Sequence, residues 1–263
     1  MKKTAIALAV LSLGMVGTAS AASFVNGGFE NGTFSGWTQG SGRATNPTGA
    51  VVIAGPPAEY GLSLGMNPSN FPTLASPGWQ GTITSAGNDP ITGQSMVKYG
   101  SHSARVNNSI NDYSVNVISQ KVLAYDGTSI NFAWAAVLES SHGPTDSDIF
   151  GLTIKDLTSN TVLYNISYSS ATAPGIFKSV GNWYYNDWTE VSLNVTQGHD
   201  YEVSLLAADC PYGGHAGYVY LDGFGTVQGG PGDGGNQVPE PGSLALAGLG
   251  LMAAFGLRRR RNV

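Results

Sequence analysis

The chain has 263 residues, of which 41% are apolar, 10% aromatic and only 11% charged, against a charged share of about 25% in ordinary globular domains. Long amphipathic helices need Glu, Lys, Arg and Ala on their wet face, so this composition excludes an all-helical protein. It leaves a β-rich, loop-rich body with a neutral polar surface.

Residues 1–21 read as a secretory signal peptide: Lys2 and Lys3, an apolar stretch Ala5–Val16, then the small residues Ala19-Ser20-Ala21 before cleavage at Ala21 or Ala22. At the other end, Leu244–Leu257 is apolar and is closed by Arg258–Arg261. That run is shorter than the ~20 residues a stable spanning helix needs, but the arginines behind it act as a cytoplasmic stop. Without both ends, Lys and Arg fall from 12 to 6 and Asp and Glu from 17 to 16, so the exported body is near −10 rather than −5. Such acidity argues against nucleic acid and anionic membrane surfaces as partners. It suits neutral glycans and divalent cations.

In the body, 22–228, period-2 alternation and β-branched or aromatic runs predict strands over 51–53, 103–106, 113–122, 129–137, 149–156, 162–168, 189–195, 200–208 and 217–224. Asp126-Gly127, Ser159-Asn160 and Gln197-Gly198 supply turns between them. Short strands at this spacing read as an all-β, two-sheet sandwich. Residues 40–93 carry prolines at 47, 56, 57, 68, 72, 77 and 90 and read as a long irregular Pro/Gly-rich insertion. Residues 229–237 (GGPGDGGNQ) read as a flexible linker. The one cysteine, Cys210, excludes a multi-cysteine zinc site and leaves the fold to its hydrophobic core.

Aromatic side chains are the candidate sugar platforms, because pyranose C–H faces stack on Trp and Tyr. Trp183-Tyr184-Tyr185-Asn186-Asp187-Trp188 is the densest group, and Trp79 lies in the proline-rich insertion. The candidates are Trp79, Trp183, Tyr185 and Trp188. Strand alternation sends Trp183 and Tyr185 to one face and Trp188 elsewhere, while Trp37 and Trp134 read as core. Cys210, His215 and Asp209 offer a nucleophile, a base and an orienting group, although Pro211 and the neighbouring glycines read as a hairpin loop holding a thiol without catalytic work. Asp146/Asp148 and Asp187/Glu190 offer glycosidase-type carboxylate pairs, but scattered acids produce such pairs by chance. No nucleophile-elbow, zincin or phosphate-loop motif occurs, so the chain reads as non-enzymatic.

The tail Val238-Pro239-Glu240-Pro241, the apolar run and Arg258, Arg259, Arg260 and Arg261 resemble the PEP-CTERM sorting signal (residues 238–263) of Gram-negative bacteria. The resemblance implies processing by an exosortase after transient inner-membrane insertion, and delivery to the cell surface or extracellular matrix. Asn26-Gly27-Gly28-Phe29-Glu30-Asn31-Gly32 with Gly36-Trp37 is similar to the opening of carbohydrate-binding jelly rolls of the galactose-binding-like superfamily, while Phe132–Glu139 with His142 and Ala208–Asp222 resemble bacterial cell-surface sandwich modules. That second resemblance implies a jelly-roll sandwich. It also implies a structural calcium held by Glu30 and Asp222, with carbonyls of Asn26–Gly28 completing the oxygen set. The expected function is a non-catalytic module associating with extracellular polysaccharide. The alternatives are a structural or adhesive surface protein without a sugar site, and a glycoside hydrolase or related polysaccharide-active enzyme.

Overall fold

The computed structural model describes residues 22–43, 78–140, 147–171, 175–210 and 213–225. The expected signal peptide, the strand expected at 51–53, the expected linker and the sorting tail lie outside these residues. Within them the chain is all-β and forms two antiparallel sheets. The smaller sheet has the order β1 (Thr38–Arg43), β4 (Ser114–Val122), β11 (Tyr201–Ala208), β6 (Ile149–Asp156), β7 (Thr161–Ser169). The larger has β2 (Thr82–Ser85), β3 (His102–Val106), β12 (Gly217–Asp222), β5 (Ser129–Glu139), β9 (Trp183–Tyr185), β8 (Lys178–Val180), with β10 (Thr189–Asn194) also on β5. Successive strands change sheet from β1 to β2, β3 to β4, β4 to β5, β5 to β6, β7 to β8, β10 to β11 and β11 to β12. This is the winding of the expected jelly-roll sandwich. Among the described residues no helix is long and apolar enough to cross a membrane.

Alternation sets the core. Ile130, Phe132, Trp134, Ala136 and Leu138 of β5 face Phe150, Leu152 and Ile154 of β6 and Tyr201, Val203 and Leu205 of β11, all buried. Trp37 and Trp134 are in this layer, as expected. The strands expected at 103–106, 113–122, 129–137, 149–156, 162–168, 189–195, 200–208 and 217–224 are present with ends shifted by two residues or fewer. Four strands were not expected. Strands β1 (TQGSGR) and β2 (TITS) carry little apolar signal, and β8 and β9 are three residues each. Because β1 runs to Arg43 and β2 begins at Thr82, the insertion is narrower than 40–93.

The N-terminal segment Phe24–Trp37 is a series of turns rather than a first strand. It nevertheless packs beside the end of β12. Phe24 meets Phe224 edge-on at 4.8 Å, and the Phe224 N–H donates to Gly27 O at 3.0 Å. A Cβ on Gly27 would sit 1.7 Å from Phe224 O, so only glycine allows this approach.

Candidate functional site

The outer face of the larger sheet collects the polar and aromatic side chains that alternate with the core. In β12, Val219 and Leu221 point inward, so Tyr218 and Tyr220 point outward. They cluster with Ala135 and Val137 of β5 and with half-buried Trp183, Tyr185 and Trp188. The segment 86–100, between β2 and β3, lies over part of this face as a strap, its Ile91 and Met96 packed into the cluster.

Trp188 is the correction here. Simple alternation separates it from Trp183 and Tyr185, yet all three share the cluster. The register explains why. Tyr185 pairs with Val137 and Thr189 with Trp134, and Asn186 N–H donates to Ala136 O. Asp187 and Trp188 therefore both oppose Ala135, which makes a one-residue β-bulge. Buried Asn186 fixes it: its Oδ1 accepts from Ala136 N–H at 2.7 Å, while its Nδ2 donates to Asp187 O at 2.7 Å and Thr189 Oγ1 at 3.0 Å. Beyond the bulge Trp188 returns to the face of Tyr185. Trp79 stands apart from the other three: it packs against the inner core and meets Phe34 edge-on at 5.2 Å.

Several polar bonds hold the strap. Tyr218 and Tyr220 each donate a hydroxyl proton to Asp89 Oδ2 at 2.7 Å. Asp89 Oδ1 accepts from the N–H groups of Ile91 and Thr92. Burial pushes the Asp89 carboxyl up, but the tyrosine and Thr92 bonds outweigh it and hold the carboxyl below its ordinary value. Burial, reinforced by this carboxylate, raises both tyrosines far above the usual phenol. The Arg105 guanidinium lies 5.4 Å from the Tyr218 ring centre. Trp188 Nε1–H donates to Ser95 O at 2.9 Å, and Lys98 pairs with Glu190 at 2.6 Å.

Glu30 and Asp222 meet on the end of this strap. Asp222 Oδ2 accepts from the N–H groups of Lys98 (2.9 Å) and Tyr99 (2.8 Å). Glu30 accepts from those of Ser101 and His102, both at 3.0 Å. Between them Gly100 has φ +64, and a Cβ there would lie 2.4 Å from Glu30 Oε1. Burial pushes Asp222 up to about 7, and the negative charge of Glu30 adds to the rise against the bonds from the strap. Asp222 Oδ1 is buried without a hydrogen-bond partner. That orphaned oxygen beside a second carboxylate fits a hard cation. Of the expected carbonyls, Asn26 O already accepts from Phe29 N–H and Trp37 Nε1–H, and Gly27 O from Phe224 N–H. Among the described residues no group of three or more His, Cys, Asp or Glu is arranged to hold a metal.

The other candidates are dispersed. The Asp209 carboxylate accepts from Asn107 and Ser114. Cys210 is buried at the end of β11. Asp148 is buried beneath Ser170, Asp187 pairs with Lys178 and Glu190 with Lys98. Asp146 lies outside the described residues, as do Pro239, Glu240, Pro241 and Arg258–Arg261. The alternation of Tyr218 and Tyr220 with Val219 and Leu221 could have revealed the outer face. Asp89 gave no sequence signal beyond an Asn-Asp-Pro turn.

Residues 237–261 match the PEP-CTERM protein-sorting motif. No curated protein matches the sequence. Among solved structures, the carbohydrate-binding module TmCBM61 in complex with beta-1,4-galactotriose is 11% identical, covers 78% of this chain and 97% of its own, and has a TM-score of 0.39. The non-crystalline cellulose specific module CBM28 is 14% identical, with 79% and 97% covered and a TM-score of 0.36. The K1 cleaved adhesin domain of Lys-gingipain from Porphyromonas gingivalis W83 is 13% identical, with 74% and 92% covered and a TM-score of 0.34.

Proposed function

We propose that this exported protein is delivered by exosortase processing to the cell surface or extracellular matrix, where the outer face of its larger sheet associates with polysaccharide without catalysis. The sorting motif at 237–261 supports the delivery. In this reading residues 1–21 direct export, and the apolar run holds the chain in the inner membrane until it is cut near the Pro-Glu-Pro element. One observation carries the binding: the bulge at Asp187–Trp188 gathers Trp183, Tyr185 and Trp188, each half-buried, on one face. Rings fixed by a sheet and open on one side are suited to stack on sugar C–H faces. The named solved modules bind galactotriose and cellulose, which is in keeping with this reading.

The test is retardation of the protein in native gels containing the host's own exopolysaccharide. With stacking worth about 0.5–1.5 kcal/mol per ring, removing Trp183 and Tyr185 together should weaken retention by about tenfold. Unchanged retention in the double alanine variant would defeat the proposal. The strap supports a second, structural or adhesive reading, because it buries Tyr218 and Tyr220 on this same face. Self-association without retention by any polysaccharide is the outcome that reading expects.

We also propose calcium as a structural ion on Glu30 and Asp222. It would neutralise the two carboxylates and give Asp222 Oδ1 the partner it lacks. The ion supplies charge, and the chain's own residues keep the strap in place.

A further inference from the structure

The bulge that turns Trp188 onto the outer face of the larger sheet also delivers a charged group there. Asp187 and Trp188 share the place opposite Ala135, whose side chain belongs to the outer-face cluster. Asp187 pairs with Lys178 of β8, and both side chains are more than half exposed, at 69% and 56%. Lys178 is in register with Tyr185, so these two side chains stand on one face. The Lys178 ammonium is held above its ordinary value, first by the hydrogen bond to Asp187 and also by the neighbouring Tyr185. A donor and an acceptor thus lie side by side, open to solvent, at the edge of the Trp183, Tyr185 and Trp188 rings.

An ion pair this exposed contributes little to stability. What it offers is polar contact at the rim of an apolar platform. A hydroxyl both donates and accepts hydrogen bonds, so two neighbouring hydroxyls of one sugar ring satisfy both partners together. One donates to the Asp187 carboxylate and the other accepts from the Lys178 ammonium. The charges on the face oppose the other large class of polysaccharide, the polyanions. Of the 12 Lys and Arg residues, six remain once Lys2, Lys3 and Arg258–Arg261 are set aside. Arg43 belongs to the smaller sheet, and Lys121 and Lys155 flank Glu202 there. Arg105 is on β3, four strand positions from β8, or about 19 Å. Lys98 and Lys178 remain, and Glu190 and Asp187 neutralise them. A uronate or sulfate polymer would meet no uncompensated cation at these rings, and the acidic body would repel it.

We propose, on the reading above that these rings bind polysaccharide, that Asp187 and Lys178 are the polar half of the site and set its ligand class. That class is an uncharged polysaccharide, read through a pair of neighbouring hydroxyls on a sugar stacked against Trp183, Tyr185 or Trp188. The rings supply contact area to any pyranose with an open C–H face. The ion pair supplies the choice, because bonds to charged partners are about twice as strong as neutral ones and a carboxylate on the sugar would face that of Asp187.

The experiment compares native gels containing the host's exopolysaccharide as secreted with gels containing the same material after carbodiimide activation and borohydride reduction. That treatment turns sugar carboxylates into hydroxymethyl groups. Retention of the wild type should survive it. Asp187→Asn and Lys178→Gln should each weaken retention on the reduced material at least about threefold, with the melting temperature unchanged. Glu202→Gln makes the same charge change as Asp187→Asn on the opposite sheet and should be retained like the wild type. Loss of retention on the reduced polysaccharide overturns the proposal and leaves the ring reading standing. So does retention of both Asp187→Asn and Lys178→Gln at the wild-type level, or equal weakening by Glu202→Gln. A wild type retained by neither material removes the ring reading and this assignment together.

Discussion

Asp89 shows how one buried carboxylate stays charged in a chain with only 11% charged residues. Two phenol protons and two backbone N–H groups converge on it. Asp89→Asn aims an amide N–H₂ or a single carbonyl at two hydroxyls that need acceptors. The expected cost is about 1–3 kcal/mol in urea unfolding, with most of the loss absent when Tyr218→Phe and Tyr220→Phe are already present. No coupling in that cycle would show that the contact does not pin the strap. Asp222 supports a different test. Asp222→Asn still accepts from the strap N–H groups but gives up the charge. The wild-type melting temperature should fall on adding EDTA and that of Asp222→Asn should not, and calcium should bind more tightly as pH rises through about 7, where Asp222 ionises. A wild type indifferent to chelator and metal-free by elemental analysis would remove calcium from the account.

At the scale of elements, β5 organises the outer face, because β9 and β10 pair successively along its length. Asn186 joins them, and Asn186→Ala would leave the Ala136 N–H without its 2.7 Å partner. An expected loss of about 1–3 kcal/mol should come with weakened retention by exopolysaccharide as Trp188 turns away. Retention equal to wild type in a destabilised Asn186→Ala protein would separate the bulge from binding. The same element marks the limit of what the sequence discloses. The long strands were legible because their apolar residues recur at period 2, as in Ile130, Phe132 and Trp134. The bulge was not, because an inserted residue leaves the sequence unmarked and shows only against the partner strand. Glu30 and Asp222 were placed together by likeness to known modules. The strap that joins them was invisible, since it bonds through backbone N–H groups that every residue carries.

The whole molecule should be most stable in mild acid. Asp209 and Asp222 are raised from 3.8 to about 7, and burial also raises Asp148 well above 3.8. Between about pH 4 and pH 7 the folded state therefore binds more protons than the unfolded chain, and stability falls as pH rises. Asp89 and Asp156 have the opposite sign. Burial raises Asp156, but bonds from His199 (2.8 Å) and Ser159 outweigh it, so both carboxyls lie below 3.8. Their contribution is present above that value and disappears as pH drops through their folded values. Calorimetry in EDTA should find the highest melting temperature near pH 4–5, as one transition. A maximum at pH 7 or above would contradict the buried-carboxyl account. Pairing between strands distant in sequence, such as β3 with β12 and β4 with β11, should also make folding slow.

The strap is anchored across the length of the domain: Asp222 stands 123 residues beyond the Tyr99 N–H that it accepts. A polypeptide emerging from the ribosome with its N-terminus leading presents residues 86–100 long before their anchor emerges. Until β12 arrives, Tyr218, Tyr220 and Asp222 are missing together, so none of these three fastenings exists. Chains cut short upstream of β12 would thus carry a loose, protease-sensitive segment, whereas finished ones would have it sealed. The docked strap is a seal of completeness, set by β12, the last of the described strands to emerge.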